Sequence, residues 1–204
     1  FFIEGGALAV ENAIKAAMDW KVRKNLAKGI KEEKGQRVLH FERAFHGRSG
    51  YTMSLTNTDP IKIKYFPKFD WPRVSTPGQR FPVTPESTEE VIKAEQQSIA
   101  EIKQAFADDP DGICCVIVEP ILGEGGDIHL RKEFLSEVRD IAHENDALLI
   151  FDEVQTGFAR TGSMFAIEKS GVVPDFLVCA KSIAGGLPLS AVIGKADLFD
   201  KIEA

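Results

Sequence analysis

The sequence has 204 residues, 44% of them hydrophobic and 27% charged, which is enough to bury a sizeable core as one domain. Its net charge of −6 gives no basic footprint for nucleic acid, and no apolar run approaches the ~20 residues that a membrane span needs. Cys114, Cys115 and Cys179 all fall in apolar runs; they read as buried free thiols in a reducing cytoplasm, and no metal-ligand spacing occurs.

The chain opens Phe1-Phe2-Ile3-Glu4-Gly5-Gly6, which reads as a core strand entering a turn. Val10, Ala13, Ile14, Ala17 and Met18 recur at helical spacing, so a helix is expected right after the glycine pair. Arg37 to Phe41 reads as a strand. Between residues 44 and 88, Pro60, Pro67, Pro72, Pro77, Pro82 and Pro85 interrupt any long element, and a long functional loop is expected there. Ile92, Ile99, Ile102 and Phe106 mark a helix, and Ile113 to Val118 a strand ended by Glu119-Pro120. Phe134, Leu135, Val138, Ile141 and Ala142 mark another helix. An apolar run from Ala147 to Phe151 ends at Asp152, a short helix follows near Phe165 to Lys169, and a second run from Phe176 to Ala180 leads to Lys181. Ser190 to Gly194 is a further strand, and Asp197 to Ala204 a charged helical stub. With no initiating Met, these ends lead to the expectation of an internal piece of a longer polypeptide.

Strands alternate with helices, and the strand runs are continuously apolar. That pattern predicts an α/β fold with a mostly parallel sheet and helices on both faces. Ligands of such sheets bind outside the carboxyl ends of the strands. Asp152 and Lys181, 29 positions apart (181 − 152), stand at that edge after adjacent buried runs. A lysine is rarely placed there, and if desolvated it becomes a usable amine nucleophile. A buried acid needs a cationic or strongly donating partner. Together they suit a pyridoxal phosphate enzyme, with the lysine as Schiff-base partner and the acid under the pyridine nitrogen.

Other residues fit that chemistry and also admit plainer readings. Gly5-Gly6-Ala7, between a strand and a helix, is either a phosphate seat or an ordinary turn. Phe45 could stack on a flat ring or pack on the core, and Arg48 could hold a carboxylate or lie on the surface. His46 is given a structural or cofactor-edge role. Glu119 and Glu124 bracket Pro120-Ile121-Leu122-Gly123, a turn where glycines let backbone crowd a ligand. Glu153 and Gln155 follow Asp152 closely enough to point into the same site.

These segments, in this order, resemble the class III aminotransferases, which are fold-type I pyridoxal phosphate enzymes. The carrying motifs are Phe151-Asp152-Glu153-Val154-Gln155-Thr156-Gly157 and Ala180-Lys181-Ser182. The opening thirteen residues, Phe45 to Tyr51 and Pro67 to Arg73 resemble the branch acting on the terminal amine of L-lysine. Gly157 to Gly162 and Ser182 to Ser190 look more like the 4-aminobutyrate and ornithine group, and Leu122 stands where that family's glutamine is expected.

The resemblance implies that residues 1–204 form the central part of a large cofactor-binding domain, without the N-terminal segment and the small C-terminal domain. It implies pyridoxal 5'-phosphate held by Lys181, Asp152, Gly6, Ala7, Phe45, His46 and Gln155, with no metal. It makes Arg48 the holder of lysine's α-carboxylate and Glu124 a switch that pairs with an arginine downstream of this chain. The implied partners are L-lysine or another ω-amine as donor and 2-oxoglutarate as acceptor, with no nucleic acid or membrane, in a cytoplasmic homodimer. A catalytically incomplete fragment is the remaining alternative.

Overall fold

The computed structural model describes residues 1–31 and 34–199. The central strands of its sheet are buried on both faces. In chain order the elements begin with β1 (Phe2–Ile3), α1 (Gly6–Ala27), β2 (Arg37–Phe41), α2 (Thr52–Leu55), β3 (Arg73–Val74) and α3 (Pro85–Asp108). They continue with β4 (Ile113–Val118), a hairpin of β5 (Ile121–Leu122) and β6 (Ile128–His129), α4 (Lys132–Glu144) and β7 (Leu148–Asp152). β8 (Phe176–Cys179), β9 (Ser190–Gly194) and α5 (Ala196–Phe199) complete the described chain.

Seven strands form one sheet in the order β1-β9-β8-β7-β4-β2-β3. The pairs β2/β3, β2/β4, β4/β7 and β7/β8 are parallel, while β9 runs antiparallel to both β8 and β1. The expected mostly parallel sheet is therefore present, with an antiparallel margin.

Alternation within each strand divides the core into two layers. Leu39, Phe41, Val116, Val118, Leu149 and Phe151 face α3 and α4. Val38, Cys115, Ile117, Leu148, Ile150 and Val178 face α1. This is why the runs read as continuously apolar: each alternate residue meets a different helix layer. Full burial of a Phe, Ile or Leu side chain stabilises the fold by about 1.5–3 kcal/mol, and all six residues of β4 are buried.

Helix starts follow local chemistry. α3 begins earlier than its apolar stripe, because Thr84 and Ser87 cap reciprocally and Pro85 occupies the first turn. Thr84 Oγ1 accepts from Ser87 N at 3.1 Å, and Ser87 Oγ accepts from Thr84 N at 2.9 Å. The proline-rich stretch is mostly irregular, as expected, but holds α2, a 3-10 turn (Pro60–Lys62) and β3.

One expectation needs correction. Phe2 lies in an edge strand and is 71% exposed, so the opening is not a core strand in this chain. The short helix expected near Phe165 is present as a 3-10 helix (Ala166–Lys169). Of the charged stub, Ala196–Phe199 is helical, and the rest lies outside the described residues.

Candidate active site

Because β2, β4, β7 and β8 run parallel, their carboxyl ends open on one edge. His46 follows β2, Glu119 follows β4, Asp152 ends β7, and Lys181 follows β8. All four line one cavity of about 360 Å³, within the roughly 300–1,000 Å³ of small-molecule sites.

α1 contributes its first turn to the cavity wall through Gly6 and Ala7. That turn has no side-chain cap and no acidic residue. Its backbone N–H groups and the positive end of the helix dipole are thus available to an anion. A Cβ on Gly6 would meet Val154 Cγ1 at 3.0 Å, so a side chain here would press Val154 back by a few tenths of an ångström. Gly47, with φ +123°, is the tighter case: its Cβ would lie 2.6 Å from Ala7 Cβ and 2.8 Å from Thr52 Oγ1. The Phe45–Gly47 loop is therefore wedged directly against the anion seat. Thr56 Oγ1 locks it there, accepting from His46 N at 3.0 Å and donating to Gly47 O at 2.6 Å.

Asp152 is buried and doubly held. Its Oδ1 accepts from Val154 N at 3.0 Å, and its Oδ2 is 2.8 Å from His46 Nδ1. Burial alone would depress the His46 imidazole, but the Asp152 hydrogen bond, with the charges of Asp152 and Glu119, more than offsets it and raises the group above its ordinary value. His46 Nε2 is buried with no hydrogen-bond partner among the described residues. Glu119 completes the group. Its Oε1 accepts from Phe45 N at 2.9 Å and its Oε2 from Gly123 N at 3.2 Å. Burial pushes its carboxyl up to about 7, His46 opposes the rise, and Asp152 adds to it. Two acids and an imidazole thus share the cavity floor, and the shifted Glu119 and His46 are of the kind that cluster at functional sites.

Lys181 lines the cavity but is exposed, and its Nζ donates to Gln155 Oε1. The desolvation expected from sequence is not provided by the described residues. Its backbone is left-handed, with φ +49°, a conformation costing a side-chain-bearing residue about 1–2 kcal/mol and one often retained at functional positions. Phe45, Gln155 and Glu124 also line the cavity. Glu124 sits in the turn between β5 and β6 and is bonded to Lys62. Arg48 is not part of the lining and is exposed. Its loop is tied to α1, since Glu11 Oε1 accepts from Ser49 Oγ at 2.6 Å and from Tyr51 N at 3.1 Å.

Glu153 does not point into the site. It is fully buried and accepts from Thr156 Oγ1, Ala166 N and Ile167 N, which fixes the loop beyond β7. Glu119 was the residue to look for: like Asp152, it is an acid directly after an all-apolar strand. Glu11 and Lys62 carry no comparable local signal.

A flat, anionic, aldehyde-bearing coenzyme fits this donor set. The uncapped helix start suits its phosphate, the His46–Asp152 pair suits a protonated ring nitrogen, and Lys181 offers an amine.

The family model described as Aminotransferase class-III matches residues 1–204. L-lysine-epsilon aminotransferase of Mycobacterium tuberculosis is 52% identical over 181 residues, covering 89% of this chain and 40% of the relative. The Streptomyces clavuligerus protein of the same name is 51% identical over 183 residues, covering 89% and 39%. The probable 4-aminobutyrate aminotransferase of Bacillus subtilis is 38% identical over 205 residues, covering 98% and 43%. Among solved structures, lysine aminotransferase from M. tuberculosis in the internal aldimine form superposes with a TM-score of 0.90 at 46% identity, covering 98% of this chain and 44% of that one. The chain thus spans about 40% of the length of these curated relatives.

Proposed function

This chain belongs to the class III aminotransferases, and we propose that it provides the cofactor cavity for moving the terminal amine of L-lysine to 2-oxoglutarate, giving glutamate. The donor's terminal carbon is oxidised from amine to aldehyde, and the keto carbon of the acceptor is reduced to an amine. Pyridoxal 5'-phosphate, on which this family depends, supplies the electron sink that carries the nitrogen between them.

The observation that carries the reading is the shared cavity of Lys181 and Asp152, residues from adjacent strands. Lys181 Nζ would hold the cofactor and move the proton at the substrate carbon. Asp152, braced by His46 Nδ1, would keep the ring nitrogen protonated. The first-turn amides of Gly6 and Ala7 would bind the phosphate, and Phe45 and Gln155, which line the same cavity, would hold the ring. Arg48, exposed on the loop that carries Phe45 and His46, is assigned the donor's α-carboxylate. Glu124 acts at the mouth. The choice of L-lysine follows the 52% identity to the lysine-epsilon enzyme, against 38% to the 4-aminobutyrate relative.

Borohydride reduction of the holoenzyme should fix the cofactor covalently to the wild-type chain at Lys181, read by mass spectrometry, and not to Lys181→Ala. Retained transamination in that variant would refute the assignment. Arg48→Ala should raise KM for L-lysine while cofactor loading stays the same; unchanged lysine kinetics remove it from the substrate role.

A second donor reading, 4-aminobutyrate or ornithine, is favoured by Gly157 to Gly162 and Ser182 to Ser190. A panel of L-lysine, L-ornithine, 4-aminobutyrate and 5-aminovalerate against 2-oxoglutarate separates the two. The isolated 204-residue chain is expected to be inactive, because Lys181 is exposed in it. We place the enzyme in the cytoplasm, in keeping with three buried free cysteines; no described helix is long and apolar enough to cross a membrane. We read it as a homodimer, supported by the exposed aromatics Phe2, Tyr65, Phe66 and Phe69.

A further inference from the structure

Arg48 is exposed, and its place is fixed by the chain on either side of it. On one side Gly47 is pressed against α1, close enough that a Cβ would lie 2.6 Å from Ala7 Cβ. On the other side Ser49 Oγ donates to Glu11 Oε1 at 2.6 Å, and Tyr51 N donates to the same oxygen at 3.1 Å. Ala7 and Glu11 are four residues apart on α1 (11 − 7), so both ties meet one face of that helix. Arg48 is thus bracketed by two attachments to the helix whose first turn forms the anion seat.

The segment after Arg48 is itself well ordered. Ser49 N donates to Thr52 Oγ1 at 3.0 Å, and Met53 N to Ser49 O at 2.9 Å, which starts α2. The Tyr51 ring stacks on Trp71, with centroids 6.0 Å apart. These contacts shape the turn, and the Glu11 carboxylate ties it to α1. Glu11 is half-buried and does not line the cavity, so its part is played through the loop it holds.

We propose that Glu11 is a positioning residue for Arg48 and thereby sets the length of donor that the site prefers. The inference rests on the transaminase reading above and on its assignment of Arg48 to the donor's α-carboxylate. The amine end of the donor is placed by the coenzyme, whose phosphate the first turn of α1 would seat. The carboxylate end is placed by Arg48. With both ends referenced to one helix, the span between them is fixed. L-Ornithine, one methylene shorter than L-lysine, fills that span less well. An arginine released from Glu11 can follow the carboxylate of either donor, and the preference is lost.

The test is Glu11→Ala in the full-length holoenzyme, with L-lysine and L-ornithine as donors. KM for L-lysine should rise about tenfold, in line with the loss of hydrogen bonds to a charged acceptor, while kcat holds. The ratio of kcat/KM for L-lysine to that for L-ornithine should fall. Glu11→Gln keeps an acceptor oxygen and should restore most of both. Partial unfolding alone would lower kcat for the two donors alike. On an Arg48→Ala background the Glu11→Ala change should leave KM where it is, because it acts through that residue. An unchanged ratio between the donors, or a rise in KM that persists on that background, overturns the proposal. Hydrogen exchange at the Tyr51 amide needs no activity. It should be faster in Glu11→Ala but not in Glu11→Gln, and an unmoved rate overturns the tether itself. If the wild-type enzyme takes nitrogen from neither donor, the transaminase reading fails and the length preference falls with it. If Arg48→Ala alone leaves the lysine kinetics unchanged, it is the assignment of Arg48 that fails. In both cases the exchange at Tyr51 still decides the tether.

Discussion

The two edges of the sheet use the same residue types to opposite ends. At the amino edge, ahead of β4, β7 and β8, stand Asp111, Asp146 and Asp175; at the carboxyl edge stand Glu119, Asp152 and Lys181. Lys21, on α1, reaches the amino edge and is wholly buried. Its Nζ donates to Asp146 O at 3.0 Å, Asn145 O at 3.3 Å and Asp111 Oδ1 at 3.5 Å. Burial lowers its pKa, and Asp111 opposes that. Asp175 is equally complete, with Leu149 N, His143 Nε2 and Lys195 Nζ each at 2.8 Å. Lys181 is exposed, and His46 Nε2 has no partner among the described residues. The lesson is that a charged residue at a strand end does not by itself mark a site. Completed hydrogen bonding marks a staple; a buried group left with spare capacity beside a cavity marks chemistry.

Substitutions can break this contrast, and the largest effect is expected at the open edge. Lys181→Ala should lower transamination by at least about a thousandfold, the range expected for loss of a positioned proton-transfer group. Its urea midpoint should move little, as for other exposed positions. At the closed edge the signs reverse. Lys21→Met leaves the carbonyls of Asn145 and Asp146 without this donor and should cost about 1–3 kcal/mol of stability, read from urea melts, with turnover per folded molecule unchanged. A Lys21→Met protein of full stability and no activity would overturn the division.

Gly47→Ala should cost about 1–3 kcal/mol through its left-handed backbone, and it should also weaken cofactor retention, because Ala7 must move away from the new Cβ. Loss of stability without loss of cofactor would separate the loop from the seat.

The smallest effect is a pH slope. Glu119 titrates at about 7 in the fold against an ordinary 4.5, so the folded state holds more protons between those values. Stability of the cofactor-free protein should therefore fall as pH rises through that window. His46, raised in the fold, adds stability that is lost as pH rises through its folded pKa, which is the same sign. Glu119→Gln should flatten the slope between 4.5 and 7, and an unchanged slope in that variant would assign it to other groups.

Much of this was legible in the chain. β4, β7 and β8 announce themselves as unbroken apolar runs, and Asp152 and Lys181 stand out because each directly follows one. The direction of β9 was not legible, since an apolar strand reads the same whichever way it pairs. Nor was the exposure of Lys181, which depends on what surrounds the end of β8. Glu153 misled because proximity to Asp152 says nothing about side-chain direction, and its carboxylate is consumed by the loop at Ala166 and Ile167. Lys62 and Glu124 meet across 62 positions, beyond any local pattern.

α1 touches both edges. Its first turn forms the anion seat, and Lys21 lies fifteen residues further on (21 − 6), about 22 Å along the axis at 1.5 Å per residue. A packed helix resists axial sliding, so the distant lysine acts as an anchor bolt for the seat. The amide hydrogen of Ala9, the first bonded in that helix, should exchange faster once that bolt is drawn, although the substitution touches nothing near it.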